Sequence, residues 1–121
     1  MLGNACWLEL NTSNASGAKP FYTQLFGWEE QAGDVGFPYH FLRTANDKDN
    51  FGGIMPHAES SGVPPHWLVY FAVTDVSKAM QKVEQLGGKV CMPMVTMPQG
   101  KFAIVSDPQG ATFAVYENLP K

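Results

Sequence analysis

The chain repeats itself, and this constrains its fold more than any other feature of the sequence. At an offset of 61 positions, Trp7 falls on Leu68, Asn14 on Asp75, Ala18 on Ala79, Leu25 on Leu86 and Gly27 on Gly88. The paired residues are suited to the same tasks: a strand position, a helix cap, a small helical residue, an apolar helical residue and a terminating glycine. Any one match is explained by the general use of caps and glycines in α+β domains. Five in the same order favour duplication of one supersecondary unit.

Apolar periodicity fills in that unit. Ala5 to Asn11 alternates as a strand does. Ala15, Ala18, Phe21, Tyr22, Leu25 and Phe26 then recur at helical spacing, and Gly27 can close the helix in the left-handed conformation. Pro20 removes a backbone donor and crowds the turn before it, so a distorted first turn is expected. Three short strands follow, near Trp28 to Gln31, Tyr39 to Thr44 and Phe51 to Pro56, with Asn46 to Asn50 as a hairpin loop. Glu59 to Pro65 reads as a linker, after which the order restarts. His66 to Val73 is the next strand. Val76, Ala79, Met80, Val83 and Leu86 form one helix face, capped by Asp75 and ended by Gly87-Gly88. Strands near Lys89 to Met94, Lys101 to Ser106 and Thr112 to Glu117 complete the copy, and Asp107-Pro108-Gln109-Gly110 makes the last turn. The expected organisation is one domain over residues 1–121, with module one at 1–58, a linker at 59–65 and module two at 66–121.

A chain of 121 residues with 45% hydrophobic content suits one packed domain. The net charge of −3 is spread along the sequence and offers no basic patch, which argues against nucleic acid. No apolar run nears the ~20 residues of a membrane span. The opening Met1-Leu2-Gly3-Asn4 lacks the basic and apolar stretches of a signal peptide. Cys6 and Cys91 stand in no CxxC spacing, so a reduced, cytoplasmic protein is expected. No GxSxG elbow, cysteine–histidine neighbour pair or phosphate loop is present, and Gly52-Gly53 reads as a turn or close-packing pair.

Trp7 to Thr12, followed by Phe21-Tyr22-Thr23-Gln24-Leu25-Phe26-Gly27-Trp28, resembles the strand–helix opening of vicinal oxygen chelate proteins, where a helix ends in a pattern like FYxxLFGW. Tyr70 to Val76 is similar to the strand and cap of that family's second module. Asp107 to Gly110 with Thr112 to Glu117 is similar to its final hairpin. The chain is identified as a member of that superfamily, which groups glyoxalase, bleomycin-resistance and extradiol-dioxygenase proteins. The resemblance covers nearly the whole chain. It implies an α+β fold in which two tandem βαβββ modules form a cupped mixed sheet, with helices outside and a ligand cavity between the modules. Members commonly dimerise, so the resemblance implies a homodimer.

In the metal-dependent members, histidine or glutamate ligands occupy inward strand positions, where imidazole and carboxylate groups converge on a divalent ion. Those positions fall here on Trp7, Leu68 and Ala114 and near Gly53 to Met55, none of which is a donor of that kind. No metal and no cofactor are therefore expected. A displaced Glu9/His57/His66 cluster remains conceivable but has no recognised ligand spacing. A solvent-facing loop position is the commoner reading for His57 and His66.

Strand alternation assigns the cavity lining. With Trp7 inward, Glu9 and Asn11 point inward, and Leu8 and Leu10 pack under the helix. With Leu68 inward, His66, Tyr70 and Ala72 join it, and Trp67, Val69 and Phe71 pack outward. Thr112, Ala114 and Tyr116 face in on the last strand, with Phe113 and Val115 facing out. The expected ligand-binding set is Trp7, Glu9, Met55, His66, Leu68, Tyr70, Thr112, Ala114 and Tyr116, with Met92, Met94 and Met97 as further adaptable surface. Such a lining suits a small, partly aromatic or apolar organic molecule.

Glu9 is the candidate catalytic residue. A carboxylate among aromatic rings is costly to desolvate; a raised pKa would make it a general base, and an ionised form would hold a cationic group. The alternative is an architectural carboxylate bonded to Tyr70, Tyr116 or the backbone. Three functions follow: a metal-free small-molecule binder acting by sequestration or sensing, a lyase, isomerase or dioxygenase-type enzyme using Glu9 or a displaced metal, or a protein-interaction module.

Overall fold

The computed structural model describes residues 3–34, 38–57, 63–97 and 99–118. The element order is β1 (Ala5–Thr12), α1 (Ala15–Phe26), β2 (Glu29–Asp34), β3 (Pro38–Arg43), β4 (Gly52–Pro56), β5 (His66–Ala72), α2 (Val76–Gln85), β6 (Lys89–Met97), β7 (Gly100–Ser106) and β8 (Thr112–Asn118). This is a βαβββ pattern run twice, in an α+β fold with mixed strand pairing. Two compact units result: one from Trp7 to Trp67, the other from Leu68 onward together with the residues up to Cys6. Most of the Glu59 to Pro65 linker lies outside the described residues.

In the first unit the strands lie in the order β2-β3-β4-β1. β1 runs parallel to β4, pairing Glu9 with Gly53 and Leu10 with Ile54. β3 is antiparallel to both its neighbours, pairing His40 with Ile54 and Phe41 with Gln31. Leu10, Leu42 and Ile54 form the core on the helix side, covered by Ala15, Ala18 and Tyr22 of α1 and by Trp28 and Phe51. Leu8, expected beside Leu10 under the helix, instead keeps 38% of its surface exposed.

The caps show why α1 starts and stops where it does. The Asn14 side-chain oxygen accepts the Gly17 N–H at 3.0 Å, and Gly27 ends the helix at φ 72°, a conformation that costs a Cβ-bearing residue energy. The distorted first turn expected from Pro20 does not occur: Ala18 N–H still bonds the Asn14 carbonyl at 3.0 Å, and the helix runs through Pro20 to Phe26. The carbonyl that loses a donor to Pro20 belongs to Ser16, which is exposed to water.

The second unit orders its strands β5-β8-β7-β6. β5 is parallel to β8, pairing Tyr70 with Ala114, and β7 is antiparallel to β8 and β6. Val76, Ala103 and Val115 form its core, with Val73, Ala79, Met80 and Phe113 around them. The Asp75 cap accepts the Lys78 N–H at 3.1 Å, an arrangement 61 positions from its Asn14 counterpart. α2 stops at Gln85, and Gly87 rather than Gly88 takes the left-handed φ, 92°. Gly88 serves a different purpose, since a Cβ there would lie 2.5 Å from the Ser106 carbonyl oxygen. β6 extends to Met97 through two register shifts, between Val90 and Met92 and between Met92 and Val95. Pro93 lies in this irregular stretch, at the edge of the sheet, where a missing ladder donor is tolerated.

Candidate functional site

The polar centre of the first unit lies on the sheet face opposite α1. Glu9 is buried, with 8% of its surface exposed. The Tyr39 hydroxyl donates to Glu9 Oε2 at 2.9 Å, and the Asn11 amide donates to Oε1 at 3.3 Å. The Trp7 indole N–H in turn donates to the Tyr39 oxygen at 2.9 Å, giving a chain from Trp7 through Tyr39 to Glu9. Burial, then the adjacent Glu9 charge, pushes the Tyr39 hydroxyl far above the ordinary phenol range, so it remains a neutral donor.

Backbone space decides this geometry. A Cβ on Gly53 would lie 2.1 Å from the Tyr39 ring, so the phenol crosses the sheet where β4 has no side chain. Gly33 does the same for Phe41, whose ring would meet a Cβ at 2.5 Å. Phe41 then stands edge-to-face with both Tyr39 (5.1 Å) and Trp7 (6.2 Å). Tyr39 and Phe41 are not in the ligand set read from the sequence. The alternation of β3 puts them on one face, and Gly53 opposite Phe41 is the signal that a ring needs room there.

The other expected residues are distributed as follows. Met55 is half-buried on β4, two residues after Gly53. In the second unit Leu68, Tyr70 and Ala114 are buried, Tyr70 against Phe102 at 5.7 Å and Tyr116 at 6.5 Å. Tyr116 is half-buried, its hydroxyl pushed upward by burial and then by Cys6. Thr112 and His66 are exposed at strand ends, and His66 Nδ1 lies 2.9 Å from the Pro64 carbonyl. Met92 and Met94 are exposed on β6. Glu9 accepts a phenolic hydrogen bond from Tyr39, a partner that the sequence reading did not name.

The donors do not fit a divalent ion. Indole, leucine and alanine side chains occupy positions 7, 68 and 114, and Gly53 to Met55 adds only hydrogen, a hydrocarbon and a thioether. Among the described residues no three His, Cys, Asp or Glu side chains gather as a metal-binding group, so the displaced Glu9/His57/His66 cluster is not formed. His40 faces the helix side, where its Nδ1 lies 3.2 Å from Glu30, which also binds Lys19 at 2.8 Å.

The family model described as Glyoxalase/Bleomycin resistance protein/Dioxygenase superfamily matches residues 6–115. The chain belongs to this superfamily. Its relatives include "Putative glyoxylase CFP32" of Mycobacterium bovis, 34% identical over 119 residues that make up 95% of this chain and 46% of that protein. "Anthracycline biosynthesis protein DnrV" of Streptomyces peucetius is 29% identical over 128 residues, 94% of this chain and 46% of that protein. The chain thus spans about half the length of the curated relatives it matches. Among solved structures, the hypothetical protein BH1468 of Bacillus halodurans superposes with a TM-score of 0.70 at 12% identity, covering 98% of this chain and 96% of that one. Streptomyces coelicolor methylmalonyl-CoA epimerase, in complex with 2-nitronate-propionyl-CoA, gives 0.70 at 11% identity, covering 99% and 100%. At such identities the likeness concerns the glyoxalase-superfamily fold alone. Among the described residues no helix is long and apolar enough to cross a membrane.

Proposed function

We propose that this glyoxalase-superfamily chain binds a small, partly aromatic or apolar organic molecule without a metal, acting by sequestration or sensing, with Glu9 as the polar anchor. One observation carries the reading: a buried carboxylate accepts hydrogen bonds from a neutral phenol and an amide beside the half-buried Trp7 and Phe41 residues. A few fixed polar groups in a largely apolar lining are what small-molecule sites use to orient a ligand. The non-donor residues at the family's metal positions support the metal-free part.

A thermal-shift screen of small aromatic and heteroaromatic compounds tests it, because a ligand that binds only the folded state raises the melting temperature. The expected result is a compound that stabilises the native protein and stabilises Glu9→Gln and Trp7→Leu variants less. A broad panel with no stabilising member, or one whose stabilisation ignores both substitutions, overturns the assignment.

A second reading makes Glu9 a general base, and the name of the relative CFP32 supports it. In that case the substrate proton must come within hydrogen-bond reach of a Glu9 oxygen, beside or in place of the Tyr39 and Asn11 donors. Turnover by the native protein that Glu9→Gln abolishes, with ligand affinity retained, would establish this reading.

A further inference from the structure

We propose that module one carries a second small-molecule site, a groove between α1 and β3, and that it takes a neutral primary carboxamide on a small apolar body. The groove lies on the helix side of the sheet, away from the Glu9 face, so it goes beyond the function proposed above.

The groove has a volume of about 420 Å³ and is lined by Ala15, Ser16, Lys19, Pro20 and Thr23 of α1 and by His40 of β3. That is an ordinary size for a small-molecule pocket. The helix residues stand three and four apart and so share one face of α1. Ala15, Pro20 and the Thr23 methyl group supply its apolar wall.

Charge narrows the ligand first. The Glu30 side chain is 6% exposed and holds both cationic residue types of the lining, Lys19 Nζ at 2.8 Å and His40 Nδ1 at 3.2 Å. Burial alone would raise the Glu30 pKa, but hydrogen bonds from Lys19 and His40 hold it below the usual carboxylate range, so Glu30 is ionised. An anionic ligand therefore finds the Lys19 charge already offset. A cationic ligand meets the half-exposed Lys19 ammonium group and is repelled. A neutral ligand pays neither cost.

Hydrogen-bond capacity narrows it further. The Ser16 hydroxyl donates to Asn14 Oδ1 at 3.3 Å, and the Thr23 hydroxyl donates to the Lys19 carbonyl at 2.9 Å. Each hydroxyl has thus used its hydrogen and keeps its oxygen as an acceptor. Pro20 has no N–H to give the Ser16 carbonyl, which adds a third acceptor. Ionised Glu30 accepts from the Nδ1–H of a neutral His40, and this leaves Nε2 as a fourth. Against these acceptors stand the remaining N–H groups of Lys19. A primary carboxamide complements that pattern, with two N–H donors for the acceptors and one carbonyl for Lys19.

Benzamide tests the proposal, titrated at about pH 8, where an ordinary histidine is neutral. The comparators are benzoate, benzylamine and N,N-dimethylbenzamide, which keeps the carbonyl and lacks the N–H groups. Binding is read from histidine ring signals in proton–nitrogen correlation spectra. His57 and His66 lie outside the lining and act as controls, and the Trp7 indole signal reports on the opposite face. The expected result is movement of the His40 signal at benzamide concentrations on the order of millimolar, with the other three unmoved. Benzamide should bind at least about tenfold more tightly than each comparator. Ser16→Leu, at an exposed helix position, should block binding while keeping the Lys19–Glu30–His40 pairing. Thr23→Val, which removes one acceptor at nearly constant shape, should weaken it. Equal binding of benzamide and its dimethyl analogue, or tighter binding of benzoate or benzylamine, overturns the ligand class. Binding that survives Ser16→Leu, a Trp7 response without a His40 response, or a silent His40 signal up to about 20 mM benzamide overturns the site itself.

Discussion

The two modules share a backbone plan and differ at its centre. The position equivalent to Glu9 in the second module is Tyr70, as each lies on the strand parallel to the last strand of its unit, opposite Gly53 and Ala114 respectively. The residue before the His40–Ile54 pair is Tyr39, and the residue before the matching Ala103–Val115 pair is Phe102. Module one therefore holds a phenol–carboxylate hydrogen bond where module two holds a Tyr70–Phe102 ring contact at 5.7 Å. The difference lies in Glu9 against Tyr70 and Tyr39 against Phe102, with Gly53 against Ala114 beside them. Gly53 has no Cβ and admits the Tyr39 ring, whereas Ala114 presents a methyl group at the equivalent place. A duplicated scaffold can thus place a charged group in one copy and an aromatic seam in the other by changing side chains alone.

Restoring that methyl group is the most disruptive test. Gly53→Ala should destabilise the protein by about 3 kcal/mol in urea unfolding, because the new Cβ would lie 2.1 Å from the Tyr39 ring. A stability loss below about 0.5 kcal/mol would mean that Gly53 does not make the room that the Tyr39 ring occupies. Next in size is Tyr39→Phe, which moves module one toward the composition of module two. It takes the shown hydrogen-bond partner from a Glu9 oxygen and from the Trp7 indole N–H, and should cost about 2 kcal/mol. A double-mutant cycle with Glu9→Gln should show coupling of about 1 kcal/mol, and additive effects would show that the two groups do not act together.

The helix caps sharpen the comparison from the side where the modules agree. Asn14→Ala and Asp75→Ala should each cost about 1 kcal/mol, since each side chain accepts an N–H from three residues on. Markedly unequal losses would show that the helices differ in more than their outer faces. The smallest effect is specific to module one. Burial alone would raise the Glu30 pKa, but hydrogen bonds from Lys19 and His40 outweigh it and the carboxyl lies below its usual range. Its contribution is therefore present above the pKa it has in the unfolded chain and is lost as pH falls through the lower folded value. With Lys19 half-exposed, the effect should be under about 1 kcal/mol. Unfolding curves of native protein and Glu30→Gln should converge as pH drops through the acid range, and a constant gap would rule this linkage out.

Most of the element plan was legible because it rests on local rules. Alternation in Ala5 to Asn11, the helical spacing of α1, and the Asn14 and Asp75 caps act within a few residues. The same alternation marks Tyr70 and Phe71 as facing opposite ways, and Phe71 meets Phe113. The misjudged details depend on longer reach. The continuation of α1 through Pro20 depended on Ser16 facing water. Which of Gly87 and Gly88 takes the left-handed φ, and that Gly88 lies against Ser106, is seen only in the folded unit.

The sequence by itself determined a twice-run βαβββ plan and the alternation that puts Glu9 on the opposite face from Leu10, since each follows from local spacing, and its resemblance to the family marked the metal positions that lack donor side chains. The tertiary structure alone decided that the Tyr39 hydroxyl, some thirty residues away, donates to the Glu9 carboxylate. Strand parity says which way a side chain points, but the choice of partner depends on the pairing of β3 with β4 and on the space left above Gly53. Both are set only when the sheet assembles.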